Sequence, residues 1–315
     1  MANYGREIQC DVIIGIMGMG IPLTYLSQGI HSRQSVRNKR QMANWCKPSI
    51  NGVLLDITGV LYDSGHGDGT VIPGSVDAVK RLRSLNIPVR FCTNETTKTR
   101  KMLVDRLTRL GFTIQEQEVF PPIPAILYKK NKNEWSSVSI SDALDDFKDV
   151  DQSDPNCVVI GDATNQFSYE NLNKAFRLLM SLKQPVLISL GIGKYYKEGE
   201  SLTLDYACDV KAEIVGKPSK AFFNTALQDL GCSAENVVMI GDDIVNDVGG
   251  AQACGMRGIQ VRTGKYRPQD ENHPDVKPDG YVDNLAEAVD IIFFEIIEME
   301  RILLLQILQP QILKP

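Results

Sequence analysis

Histidine is scarce in this 315-residue chain: His31, His66 and His273 are all it contains. Three scattered imidazoles argue against a Ser-His-Asp triad or a His-ligated metal centre. Cysteine is present but unpatterned. Cys10, Cys46, Cys92, Cys157, Cys208, Cys232 and Cys254 stand singly, with no Cys-x-x-Cys pair. An odd number without close spacing argues against a disulfide framework or zinc site and for reduced thiols in the cytoplasm, and also the nucleus. Positive charge is not in excess either. The formal net charge is −5, so general nucleic-acid binding, which needs a basic surface, is not expected. The apolar run at 12–26, VIIGIMGMGIPLTYL, is short of the roughly 20 residues that span a bilayer. It also lacks the charged start and small-residue cleavage site of a secretory signal.

What is there reads as a globular chain, with 43% hydrophobic and 23% charged residues. Residues 1–46 form an atypical extension, with a basic stretch RQSVRNKR at 33–40. Gly15, Gly18 and Gly20 superficially suggest a dinucleotide loop. Pro22 stands where its helix should begin, and the acidic residue expected about 20 positions later falls in a basic stretch, so nucleotide binding is not assigned.

From residue 50 the pattern is regular. Buried strands are predicted at GVLLDI (52–57), VRFCTN (89–94), CVVIGD (157–162), PVLISL (185–190), VVMIGD (237–242) and GIQVRT (258–263). Helical spacing lies between them, at 75–85, from about Thr97 to Leu110, near 169–183 and at about 245–254. Strands alternating with helices predict a parallel α/β sheet. The spacing from Leu285 to Leu308 is helical and strongly apolar, ending in ILLLQIL at 302–308 before Pro310. Such a helix needs cover, from a cap formed by the middle of the chain, from a second copy in a homodimer, or from a membrane surface.

The chemistry-bearing residues cluster just after strands, where parallel sheets form their ligand crevice. Asp56 closes one strand, with Thr58-Gly59 in the turn. Asp242, Asp243 and Asp247 follow another, and Thr93-Asn94 a third. Carboxylates gathered at one edge repel one another and call for a cation, and Mg²⁺ prefers oxygen ligands. Strand-end aspartates are also common turn and cap residues. The addition of hydroxyl, amide and backbone N–H donors at Thr93-Asn94 and of Lys217, in VGKPS, changes the balance. A phosphate site needs a nucleophile, donors, a fixed ammonium and a metal.

Asp56-Ile-Thr-Gly-Val, Thr93-Asn94, Lys217 and Gly241-Asp242-Asp243-x-x-x-Asp247, in that order, resemble the four motifs of the haloacid-dehalogenase-like phosphatase superfamily. The resemblance covers roughly residues 51–290. It implies a Rossmann-like parallel sheet core with helices on both faces (50–125 and 214–292) and an inserted α/β cap of the C2 type (126–213). An apolar helical extension (293–315) follows. It implies catalysis by Asp56, Thr58 and Lys217 through an aspartyl-phosphate on Asp56. Mg²⁺ would be held by Asp56, the Thr58 carbonyl, Asp242 and Asp247, and the phosphoryl oxygens by Thr93, Asn94 and Lys217.

Two departures bear on function. Most phosphatases of this superfamily carry an aspartate two residues after the nucleophile, as acid and base, and Thr58 cannot do that work near neutral pH. Leaving groups that depart without help lose least, which favours phosphohistidine, phospholysine and inorganic pyrophosphate over alkyl esters. The cap also looks short by about one helix, since GESLTLD meets YACDVKAE directly. Two other readings stand beside the enzyme: a weakly active or inactive interaction protein, and a phosphatase for small phosphorylated metabolites.

Overall fold

The computed structural model describes residues 44–47, 49–96, 98–122, 137–140, 155–161, 168–190 and 209–297. The glycine-rich run at 12–26, the cap junction near 199–208 and the tail at 302–308 lie outside the described residues.

Six parallel strands make the larger sheet. They are β1 (Gly52–Asp56), β4 (Val89–Cys92), β5 (Val119–Phe120), β10 (Val237–Gly241), β11 (Arg257–Val261) and β12 (Gly280–Val282). Their order is β12-β11-β10-β1-β4-β5. The chain runs outward from β1 to β5 on one side and returns through β10 to β12 on the other. The reversal falls between β1 and β10, where the connections diverge and a crevice opens at the carboxyl ends. There Leu55 of β1 pairs in register with Ile240 of β10.

The central strands β1 and β10 are apolar up to their carboxyl ends because both faces are covered. Val53 and Leu55 point to one side, with Phe91, Val238 and Ile240. There they pack with α1 (Ser75–Ser84), α2 (Arg100–Arg109) and the final helix α5 (285–297). Leu54, Cys92 and Met239 point to the other, against Phe222, Phe223 and Ala226 of α4 (Lys220–Leu230). Thr99 caps α2, its hydroxyl accepting from Met102 N at 3.2 Å, so the helix begins later than the spacing from Thr97 predicts. The helix predicted at 245–254 is a wide turn, Ile244–Gly249, running into one α-helical turn, Gly250–Gln252.

Two short strands, β2 (Tyr62–Asp63) and β3 (Thr70–Val71), form an antiparallel hairpin just after β1. A second sheet holds β6 (Ser137–Ile140), β7 (Cys157–Ile160), β8 (Leu187–Ser189) and β9 (Glu213–Ile214). Its order is β6-β7-β8-β9, again parallel. The helix α3 (Tyr169–Ser181) packs Ala175 and Leu179 against it.

The core reaches further towards the N-terminus than composition suggests. Trp45 and Cys46, assigned by sequence to the extension, are buried. Trp45 O accepts from Arg257 Nη1 at 2.7 Å, and its ring lies where a side chain on Gly280 would sit. At the other end Leu285, Ala288, Val289 and Ile292 of α5 are fully buried, while Ile297 is exposed. Among the described residues no helix is long and apolar enough to cross a membrane.

Candidate active site

β1 and β10 deliver their aspartates side by side. Asp56 ends β1, Asp242 directly follows β10, and Asp247 stands in the wide turn after it. All three are buried, and one carboxylate oxygen from each lies within 4.8 Å of the others. Lys217 reaches the same spot from 161 residues along the chain from Asp56. Its Nζ lies 2.6 Å from Asp56 Oδ1 and 2.7 Å from Asp247 Oδ1, with Cys92 O at 3.4 Å.

Charge governs this cluster. Burial pushes the Asp242 carboxyl up to about 8, with Asp56 and Asp247 adding to it. Asp247 is also raised, by burial first and Asp56 next, with Lys217 opposing. Burial pulls the Lys217 ammonium down, but Asp247 and Asp56 outweigh it and hold its pKa above the ordinary lysine value. Among the described residues, three buried acids with one buried ammonium leave the cluster short of positive charge. Asp242 Oδ1 is buried with no hydrogen-bond partner. An orphaned carboxylate oxygen beside two others suits a hard cation that takes oxygen ligands.

The backbone is shaped around Asp242. Gly59 (φ +91°) and Gly264 (φ +60°) approach it from two loops, and a Cβ on either would lie 2.0 or 2.1 Å from Asp242 Oδ2. Only glycine accepts both the left-handed backbone and that contact. Lys265 N donates to the same oxygen at 2.8 Å, and Gln260 Nε2 to Asp242 O at 3.2 Å.

The other residues singled out by sequence gather at the same edge with differing freedom. Thr58 is half-buried in the turn after Asp56, bridged through its backbone to Tyr62. Thr93 is buried, and its Oγ1 accepts from Glu95 N at 2.9 Å, leaving the hydroxyl hydrogen free to donate. The Asn94 side chain is engaged within the protein. Its Nδ2 donates to Lys217 O and its Oδ1 accepts from Lys217 N, both at 2.8 Å. The side chain clamps the lysine backbone, which leaves the Asn94 main-chain N–H, rather than its amide group, for an anion. Asp243 caps the wide turn, its Oδ1 accepting from Val245 N and Asn246 N at 3.1 and 2.9 Å.

Two neighbours escaped the motif-based reading: Lys265, in the loop after β11, and Gln260 inside β11. The available signal was the position of GIQVRTGK, a strand followed directly by glycine and a cation.

Family models match two stretches of the chain. Residues 53–162 match a haloacid dehalogenase-like hydrolase model and residues 214–288 a HAD-hydrolase-like one. The human phospholysine phosphohistidine inorganic pyrophosphate phosphatase is 58% identical over 266 residues, covering 80% of this chain and 98% of that protein. The chain belongs to the haloacid dehalogenase-like hydrolase family. Within it, human haloacid dehalogenase-like hydrolase domain-containing protein 2 is 41% identical over 253 residues, covering 77% and 95%. A 4-nitrophenylphosphatase from Thermotoga maritima shares the fold, with a TM-score of 0.67 at 24% identity, covering 76% of this chain and 97% of its own.

Proposed function

We propose that this family member is a Mg²⁺-dependent phosphatase that hydrolyses the P–N bonds of phosphohistidine and phospholysine and the bridging bond of inorganic pyrophosphate. The observation that carries the reading is the meeting of Asp56, Asp242 and Asp247 around Lys217 at the strand-order reversal. The names of relatives more than half identical to this chain support the substrate class.

Asp56, Asp242 and Asp247 would hold the Mg²⁺, with the Thr58 carbonyl beside them. When bound, it supplies positive charge that offsets repulsion between Asp56 and an anionic phosphoryl group. Asp56 attacks phosphorus, the bond to the leaving group breaks, and water then hydrolyses the acyl phosphate. Lys217 and the Thr93 hydroxyl orient the phosphoryl oxygens, and Asn94 keeps the Lys217 backbone in place.

Thr58 decides which leaving groups are served. Installing an acid there, Thr58→Asp, is expected to raise turnover of alkyl phosphate esters at least about tenfold, less than the roughly hundredfold or more that a well-positioned acid contributes. Turnover of phosphoramidate should rise less. The test is Mg²⁺-dependent phosphate release from pyrophosphate, phosphoramidate and an alkyl ester, with parent and variant. Equal change on all three would remove the leaving-group argument. No release by the parent from any of them would leave an interaction protein instead.

The same cluster predicts how metal and pH act together. The ordinary Asp pKa is 3.8, and folded Asp242 stands near 8. The folded protein therefore binds more protons than the unfolded chain between about pH 4 and pH 8, and metal-free stability falls as pH rises through that window. A cation on the carboxylates favours their ionised forms and cancels the loss. Mg²⁺ is thus expected to raise Tm more at pH 8 than at pH 6, read by thermal unfolding with Mg²⁺ or EDTA. Equal gains at both pH values would separate the metal from these aspartates.

A further inference from the structure

Among the described residues two lysines, Lys217 and Lys265, approach the carboxylates, and they are built differently. Lys217 is buried and held between Asp56 and Asp247, so its ammonium is fixed at the point of attack. Lys265 has a fixed backbone and a free head. Its N–H is bound by Asp242 Oδ2 at 2.8 Å. The preceding Gly264 is pressed so near Gly59 that a Cβ would lie 2.6 Å from the Gly59 Cα. Thr263 Oγ1 donates to Gly59 O, tying this turn to the loop that follows Asp56. Arg267 braces the turn from outside, its Nη1 donating to Lys265 O at 3.0 Å and Tyr266 O at 2.8 Å.

The Lys265 side chain is 63% exposed, and its Nζ lies 3.5 Å from Asp243 Oδ2. Asp243 is mostly buried and already serves Val245 and Asn246, and at that distance its hold on the exposed Lys265 head is loose. Moving the ammonium onto an incoming anion therefore costs little. Burial of its inner part opposes the charge, but Asp242, Asp56, Asp243 and Asp247 together keep the pKa above the usual lysine value. The chain thus presents an exposed cation beside the carboxylate cluster, set by its backbone on the same Asp242 that meets Asp56 there.

We propose that Lys265 binds the departing phosphate of inorganic pyrophosphate and so sets the preference between pyrophosphate and P–N substrates. The assignment rests on the phosphatase reading above. In the first step an Asp56 oxygen bonds to one phosphorus and the bond from that phosphorus to the bridging oxygen breaks. The electron pair stays on that oxygen, which leaves as part of inorganic phosphate. Water then cleaves the acyl phosphate, releasing the second phosphate and restoring the Asp56 carboxylate. The departing phosphate is anionic and needs a cation that is not engaged with the phosphoryl being transferred, and Lys265 is placed to supply it. Phosphohistidine and phospholysine lose an imidazole or an amine, which offers an ammonium no anionic oxygens.

The test compares the full chain with Lys265→Ala and Lys265→Arg, with kcat and KM measured separately on pyrophosphate and phosphoramidate. Lys265→Ala keeps the backbone N–H to Asp242. It is expected to raise KM for pyrophosphate about tenfold, the scale of one charge-assisted hydrogen bond. The loss in kcat/KM on phosphoramidate should be several-fold smaller, and Lys265→Arg should restore most of the pyrophosphate affinity. Equal losses on the two substrates, or no recovery with arginine, would overturn the assignment and leave the phosphatase reading standing. A parent protein that hydrolyses neither substrate would overturn both.

Discussion

Asp56→Asn is expected to stop phosphate release, with kcat falling at least about a thousandfold, the scale seen when a covalent catalyst loses its nucleophile. Asparagine nearly keeps the shape of aspartate, and the neighbours explain why the fold should survive. Lys217 retains Asp247 as an ion-pair partner at 2.7 Å. Asp242, raised by burial first and by Asp56 next, is relieved of one repelling neighbour. Metal-free thermal stability at pH 8 should therefore be no lower than in the parent. Beryllium fluoride with Mg²⁺, which imitates a phosphorylated aspartate, should raise Tm in the parent and not in the variant, since ligand that binds only the folded protein stabilises it by mass action. Retained hydrolysis of pyrophosphate or phosphoramidate by a folded Asp56→Asn protein would end the aspartyl-phosphate mechanism.

Lys217→Met should damage stability as well as activity. Methionine keeps a long apolar stem and removes the charge, leaving Asp56, Asp242 and Asp247 buried together without their cation. Removing one partner of a buried ion pair typically costs about 3–5 kcal/mol. On the scale of a few degrees per kcal/mol, Tm in EDTA should fall by about 10 °C. Mg²⁺ should restore part of that loss by neutralising the same carboxylates. It should not restore phosphate release, which needs the ammonium on the phosphoryl oxygens and should stay down at least about a hundredfold. Thermal unfolding and phosphate release on one preparation read both effects. A variant as stable as the parent in EDTA would mean that the ion pairs of Lys217 contribute nothing net.

The core strands and the carboxylates at their ends were legible from residues alone. GVLLDI and VVMIGD are runs too apolar for a surface strand, and each carries an aspartate at or one residue before its end, with turn residues following. In β1 and β10, buried on both faces, no polar residue comes before the carboxyl end, so the first one marks the edge of the sheet. Asp56 and Asp242 stand at those edges, as expected. Lys217 was legible only as part of an ordered set, because a single lysine before proline and a helix looks like any solvated lysine.

Other features depend on contacts between distant segments, and local pattern holds no record of them. Asn94 reads as one more donor after a strand, yet its amide is committed to the Lys217 backbone far along the chain. Trp45 lies among residues whose composition resembles an extension, yet it fills space beside Gly280, which has no side chain to compete. Lys265 belongs to no recognised motif, and it reaches the carboxylates because β11 pairs with β10 and turns back over Asp242. Residue type and spacing were enough to specify the elements and the chemistry available at their ends, because alternation and turn signals act over a few residues. Which of those groups meet, which are tied up with one another and which stay free follows from strand order and loop approach. Those are set by packing across the whole domain.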